Sequence, residues 1–217
     1  MEIISNPQIR REILETLRFR YLESTKESRA PGIHLTQLVY CLTRSFYNVI
    51  KPLPPNDMEI MLFSLGFGLE NILLRENSRV KAGEKDGIHY SPDFIPLSGG
   101  LAELKTTRAS EGKLFPETWL EQILGYMYAE RLEYYDLVVL HLLGNYKPPF
   151  PSIVGYRITP TADELVRNWD RLTMRRDVLV KAFVAGEAPA PGKWCKDWEP
   201  KYCRYGFKCS PKCKGGN

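Results

Sequence analysis

The sequence predicts an α/β domain, a central mixed sheet flanked by helices, on three observations. Apolar residues recur at helical spacing through the first 75 residues and again over 161–185, as they do when a helix buries one stripe. Between those regions the pattern turns strand-like, and residues 136–143 form an almost continuous apolar run, the mark of a strand covered on both faces. At 217 residues and 43% apolar composition, the chain can bury one good core and carry appendages, but a second full domain is not expected. The expected organisation is a domain over 1–188, made of a helical N-terminal part (1–76), a core (77–160) and a long helix (161–187). A Cys-rich tail follows over 189–217.

Each element has its own signal. Residues 7–23 place Ile9, Ile13, Leu14, Leu17 and Tyr21 at helical spacing, with Arg10, Arg11, Arg18 and Arg20 largely on other faces. Residues 36–50 read as a second helix, stopped by Pro52, Pro54 and Pro55 before a third over 57–75. Strand-like stretches follow at 79–85, 89–95 and 100–107. The link Pro96-Leu97-Ser98-Gly99-Gly100 is turn-rich, so the last two stretches should form a hairpin. Residues 115–131 look helical, opened by Pro116 and Glu117, where proline sacrifices no needed N–H and a carboxylate meets the positive end of the helix dipole. Residues 153–158 would pair with the buried strand at 136–143. Thr161 with Glu164 three residues later is a capping box for the helix that runs to 185, and Pro189, Pro191 and Gly192 break the chain after it.

The candidate chemistry sits in the expected hairpin. Glu103 and Lys105 are separated by one residue, so on a strand both point to one face while Leu104 points to the other. The hairpin would bring Asp93 beside Glu103. Two carboxylates suit a hard Mg2+ or Mn2+ ion, and a lysine beside them can orient an attacking water and stabilise developing charge. On the following helix Trp119, Gln122 and Tyr126 recur on one face, where Gln122 could hydrogen-bond a nucleotide and Tyr126 could stack or contact phosphate. Glu70, in Gly66-Phe67-Gly68-Leu69-Glu70, would complete the metal shell. His34, His89 and His141 carry no ligand spacing; His89 is close enough to Asp93 to support it, but a structural role is the expectation.

Charge and cysteines bound the partners. The net charge is only +4, yet seven of the Lys and Arg residues fall between Lys193 and the end, interleaved with Trp194, Trp198, Tyr202, Tyr205 and Phe207. Basic and aromatic residues together suit a nucleic-acid strand. No apolar segment is long enough to cross a bilayer, and no secretory stretch follows the first residues, so a cytoplasmic location and no membrane partner are expected. Four of the five cysteines crowd into the last 23 residues, which in a reducing compartment argues for metal rather than disulfides. One ligand set, which a family resemblance implies, is Cys41, Cys195, Cys203 and Cys209 around a 4Fe-4S cluster. The rival set replaces Cys41 by Cys213 and holds Zn2+, with Cys203-Arg204-Tyr205-Gly206 adding a likeness to zinc fingers that bind single-stranded RNA.

These motifs, in this order, resemble the PD-(D/E)XK nuclease superfamily, specifically the RecB-like exonucleases of the CRISPR-associated Cas-four type. Pro92-Asp93 and Glu103-Leu104-Lys105 match the catalytic strand pair, Gln122 to Tyr126 matches the Q-x-x-x-Y motif, and Tyr40-Cys41-Leu42-Thr43-Arg44-Ser45-Phe46-Tyr47 matches the early cysteine motif. The resemblance covers residues 41–209. It implies trimming of single-stranded DNA ends with Mg2+ or Mn2+, a 4Fe-4S cluster held by one early and three late cysteines, and CRISPR adaptation proteins as partners in antiviral defence. It also favours iron-sulfur over zinc, because Cys41, Arg44 and Tyr47 match together. Two departures stand out. Glu70 occupies the position where the family usually has His, and Cys195 and Cys203 are separated by seven residues where the family usually has two. The competing class is a noncatalytic nucleic-acid-binding module that works through its tail; a third reading is a nuclease subunit active only inside a larger complex.

Overall fold

The computed structural model describes residues 7–26, 31–73, 80–96, 99–109, 115–142 and 151–209. They form two compact units, one from 1–31 and 54–77 and the other from 32–53 and 78–217. The first unit is a pair of packed helices, α1 (Pro7–Lys26) and α4 (Asp57–Leu73). Tyr21 stacks on Phe63 with ring centroids 5.1 Å apart, and Arg18 bonds Asp57 at 2.9 Å in the first turn of α4.

The second unit holds β1 (Ile33–His34), α2 (Leu35–Val39), α3 (Leu42–Ile50), β2 (Gly83–Lys85), β3 (Ile88–Tyr90), β4 (Ala102–Thr107), α5 (Glu117–Glu130), β5 (Tyr135–His141), β6 (Ser152–Ile158), α6 (Ala162–Ala185) and the short α7 (Glu199–Tyr202). Among the described residues the strands make two mixed three-stranded sheets, in the orders β1-β3-β2 and β4-β5-β6, where one central sheet was expected. β4 and β5 run parallel, with Glu103 opposite Leu137 and Lys105 opposite Val139, and β6 returns antiparallel to β5. Parallel neighbours need a crossover, and α5 supplies it.

The expected hairpin contracts to one antiparallel bridge, Phe94 to Ala102. Pro92 and Pro96 have no N–H to offer a ladder, so β3 stops at Tyr90 and β4 takes its long partner from β5. Strand β2 likewise covers only the end of the expected 79–85 stretch, residue 79 lying outside the described residues.

The expected helix over 36–50 is two helices. Tyr40 is extended, with φ −102° and ψ 174°, and Cys41 opens α3. The interruption has a physical cause. Cys41 N–H donates to Glu199 Oε1 at 2.8 Å, and Arg175 donates to the carbonyls of Leu38 and Tyr40, so side chains take up the backbone groups that a continuous helix would pair internally.

One apolar core joins α2, α3, α5 and α6 to the face of β5 that carries Leu137 and Val139. Leu35, Leu38, Leu42, Ile123, Met127, Leu172 and Leu179 are all fully buried in it. Gly125 lets α5 approach closely, since a Cβ there would meet Leu35 Cδ1 at 2.6 Å. Thr161 and Glu164 make the expected capping box at the start of α6, and Gly186 ends that helix in the left-handed region. No helix among the described residues is long and apolar enough to cross a membrane.

Candidate active site

β4 presents Glu103 and Lys105 on the face covered by α5. The Lys105 ammonium donates to Glu103 Oε1 at 2.6 Å and to Gln122 Oε1 at 3.1 Å. Asp93 arrives from the bridge before β4, and its Oδ2 accepts the Leu104 N–H at 2.8 Å, satisfying a backbone donor that the sheet leaves over. Three side chains from two neighbouring segments therefore converge, Glu103 and Lys105 through the alternation along β4 and Asp93 through the bridge beside it.

α5 closes the site from the other side. Gln122 and Tyr126 stand one turn apart, and Gln122 Nε2 donates to both Glu103 Oε1 and Tyr126 Oη at 2.7 Å. With its own oxygen on Lys105, the amide has partners for both ends. Gln122 is 6% exposed and Tyr126 2%, so both face inward towards Glu103. Trp119, on the same helix, packs with Phe115 against the core. Two tyrosines went unassigned in the sequence. Tyr135 on β5 is fully buried behind the carboxylates, and its hydroxyl has no partner among the described residues. Burial, then the negative charge of Glu103, pushes its pKa up. Tyr40 lies near Lys105.

The electrostatics follow from burial. Glu103 is 1% exposed, and loss of water pushes its pKa from 4.5 up to about 8; Lys105 opposes this and Asp93 adds to it. Asp93 is raised as well, by burial against the pull of Lys105. Burial alone would lower Lys105, but Glu103 outweighs it and holds the ammonium above its ordinary value. The lysine is thus a cationic donor at neutral pH.

This donor set fits a hard divalent cation. Asp93 and Glu103 face each other closely enough for each to shift the other's titration, and Glu103 Oε2 is buried without a hydrogen-bond partner among the described residues. Ionising two adjacent buried carboxyl groups is costly, and a cation between them removes the cost. Glu70 lies on α4 in the other unit, and its side chain falls outside the described residues. His89 pairs with Glu84 at 3.6 Å and lies against His34, and His141 Nδ1 bonds Ala109 O at 2.7 Å.

The cysteines are drawn together from opposite ends of the second unit. Cys41 is buried with its Sγ 2.7 Å from Cys195 Sγ, and Cys203 lies close enough to feel Cys41; burial is the main cause raising the Cys203 thiol. Two thiolates on one tetrahedral zinc stand about 3.8 Å apart and those on separate irons of a cluster farther still, so these side-chain positions make neither a zinc nor an iron-sulfur site. Among the described residues no group of three or more His, Cys, Asp or Glu side chains is arranged to hold a metal ion. Cys213 lies outside the described residues. Glu199, 2% exposed, ties the region together by accepting the N–H of Cys41 on Oε1 and that of Lys196 on Oε2, both at 2.8 Å.

No family model matches the chain, and no curated protein does. Among solved structures it is similar to the alkaline exonuclease LHK-Exo from Laribacter hongkongensis, with 12% identity and a TM-score of 0.48 over 71% of this chain and 94% of that one. It is also similar to a phage-related exonuclease from Haemophilus somnus 129PT, with 10% identity and a TM-score of 0.44 over 73% and 97%. The crystal structure of SSO0001 matches at 22% identity and a TM-score of 0.60 over 92% of this chain and 96% of that one, so the two proteins share a fold along nearly their whole lengths.

Proposed function

We propose that this chain is a metal-dependent DNA nuclease that trims single-stranded ends. The observation that carries the proposal is the pair Asp93 and Glu103, two buried carboxyl groups side by side, with one Glu103 oxygen held by Lys105 and Gln122. A Mg2+ or Mn2+ ion held by Asp93 and Glu103 would neutralise the scissile phosphate and acidify a bound water. Lys105 keeps its proton and would orient an attacking water and stabilise charge on the phosphate. Gln122 and Tyr126 hold Glu103 and Lys105 in register from α5, a positioning task, rather than reaching for substrate. Glu70 enters as a third ligand on the family resemblance alone, as do CRISPR adaptation proteins as partners.

The cysteines complete the reading as a structural 4Fe-4S site of Cys41, Cys195, Cys203 and Cys209. The early-plus-late ligand set rests on the family resemblance; Cys41 and Cys195, with Sγ atoms 2.7 Å apart, would have to separate to take different irons of the cluster. Anaerobically purified protein should contain iron and lose it in Cys41→Ala; zinc that is indifferent to that change would exclude the cluster.

The test of the nuclease is end-labelled single-stranded DNA with Mn2+, comparing the unmodified chain with Lys105→Ala and with an EDTA control. Shortening by the unmodified chain alone, stopped by EDTA, supports the proposal. The binding-module reading is favoured by the exposed Trp198 and by Phe207 with Lys208 beside it. DNA retention in EDTA without any cleavage in Mn2+ would select it.

A further inference from the structure

The nuclease reading gives no task to Glu121, which precedes Gln122, or to Lys196, which follows Cys195. Glu121 is nevertheless a carboxylate only 5% exposed in the body of α5. Its Oε1 lies 2.6 Å from Lys196 Nζ and 2.5 Å from a terminal nitrogen of Arg171, and its backbone carbonyl accepts Asn168 Nδ2 at 3.0 Å. Lys196, with 16% of its side chain exposed, also reaches Glu117 Oε2 at 3.1 Å one turn earlier on α5. Glu121 Oε1 meets both cations at ion-pair distance without hydrogen-bond geometry to either, so charge pairing offsets the burial of this carboxylate.

The pair joins two hydrogen-bonded runs. On one side Lys196 N–H and Cys41 N–H both end on Glu199. On the other, the residue after Glu121 is Gln122, whose amide holds Glu103 and Lys105. Adjacent residues on a helix move as one body, so a slide or rotation of α5 that releases Glu121 from Lys196 also withdraws Gln122 from Glu103.

We propose that the Glu121–Lys196 ion pair docks the cysteine-bearing segment onto α5 and thereby holds Gln122 in the position that orients Glu103 and Lys105. This deepens the nuclease reading and rests on it. The two residues are positioning residues, touching neither substrate nor metal. Arg171 stays with Glu121 when Lys196 is replaced, so Lys196→Met removes the dock without stranding a buried charge. Glu121→Asp is the complementary change, since the shorter carboxylate keeps its charge but withdraws from Lys196 and Arg171 together.

The experiment measures kcat and KM on end-labelled single-stranded DNA with Mn2+, the Mn2+ dissociation constant by calorimetry, and amide exchange over 117–130 in EDTA, all on the full chain. Lys196→Met should lower kcat about tenfold with KM within twofold, weaken Mn2+ by a similar factor, and speed exchange along α5 while circular dichroism stays native. Lys196→Arg should recover most of each loss, and Glu121→Asp should reproduce the kcat loss. Unchanged kcat, Mn2+ affinity and exchange in both disrupting variants, beside an active unmodified chain, overturns the positioning role alone. So does a kcat loss matched by an equal loss of folded protein. An unmodified chain that neither cuts nor binds Mn2+ overturns the nuclease reading, and the positioning role with it.

Discussion

Replacing Glu103 by Gln separates the stability of the site from its chemistry. In the metal-free chain Glu103 keeps its proton up to about pH 8, whereas an unfolded carboxyl loses it near 4.5. The folded state therefore binds more protons across that window. Its contribution to stability is complete below about 4.5 and is lost as pH rises through about 8. A displacement of that size corresponds to on the order of 5 kcal/mol, or about 10 °C in Tm for a chain of this length. Glutamine keeps the volume and can still accept Lys105, but it cannot ionise. Thermal melts in EDTA from pH 5 to pH 9 should show the unmodified chain losing on the order of 10 °C more than Glu103→Gln. At pH 8, added Mn2+ should raise the Tm of the unmodified chain and leave that of the variant alone. Parallel pH curves for the two proteins would refute the argument that burial governs Glu103.

Three further outcomes follow from the same geometry. Lys105→Met should lower cleavage by on the order of a thousandfold while Mn2+ still raises Tm, because the ammonium acts on charge that develops during reaction and is not itself a ligand. Gly125→Val should cost about 1–3 kcal/mol in a denaturant titration, since its side chain would press on Leu35 and Leu172, and cleavage should fall with it as α5 is displaced. Thr161→Ala removes the hydroxyl that caps α6 and should lower the denaturation midpoint by the equivalent of about 1 kcal/mol with an unchanged slope and unchanged cleavage.

What could be read in advance was whatever depends on local geometry. Glu103 and Lys105 share a face because strands alternate, and Thr161 with Glu164 announces a helix start at a fixed spacing. Gln122 and Tyr126 were legible as one helical face, but the direction of that face was not; it looks inward at Glu103. The break at Tyr40 and Cys41 was invisible because no Gly or Pro interrupts residues 35–50. Glu199 and Arg175 impose it from 158 and 135 residues away. The division into two sheets was hidden for the same reason, since β4 finds its long partner only after α5 has turned the chain back. Glu121 and Lys196 look like ordinary surface charges until the fold buries them together.

The 158-residue separation between the Cys41 N–H and its acceptor on Glu199 also orders events in time. At synthesis rates of about 5–20 residues per second, the two groups emerge from the ribosome roughly 8–30 s apart. Over that interval the junction between α2 and α3 has water as its partner, and Leu53 waits likewise for Arg204 and Tyr205. The β4-α5-β5 unit needs no such delay, being contiguous in sequence. The carboxylate face should therefore take shape early in the nascent chain, and the seam around Cys41 should close last.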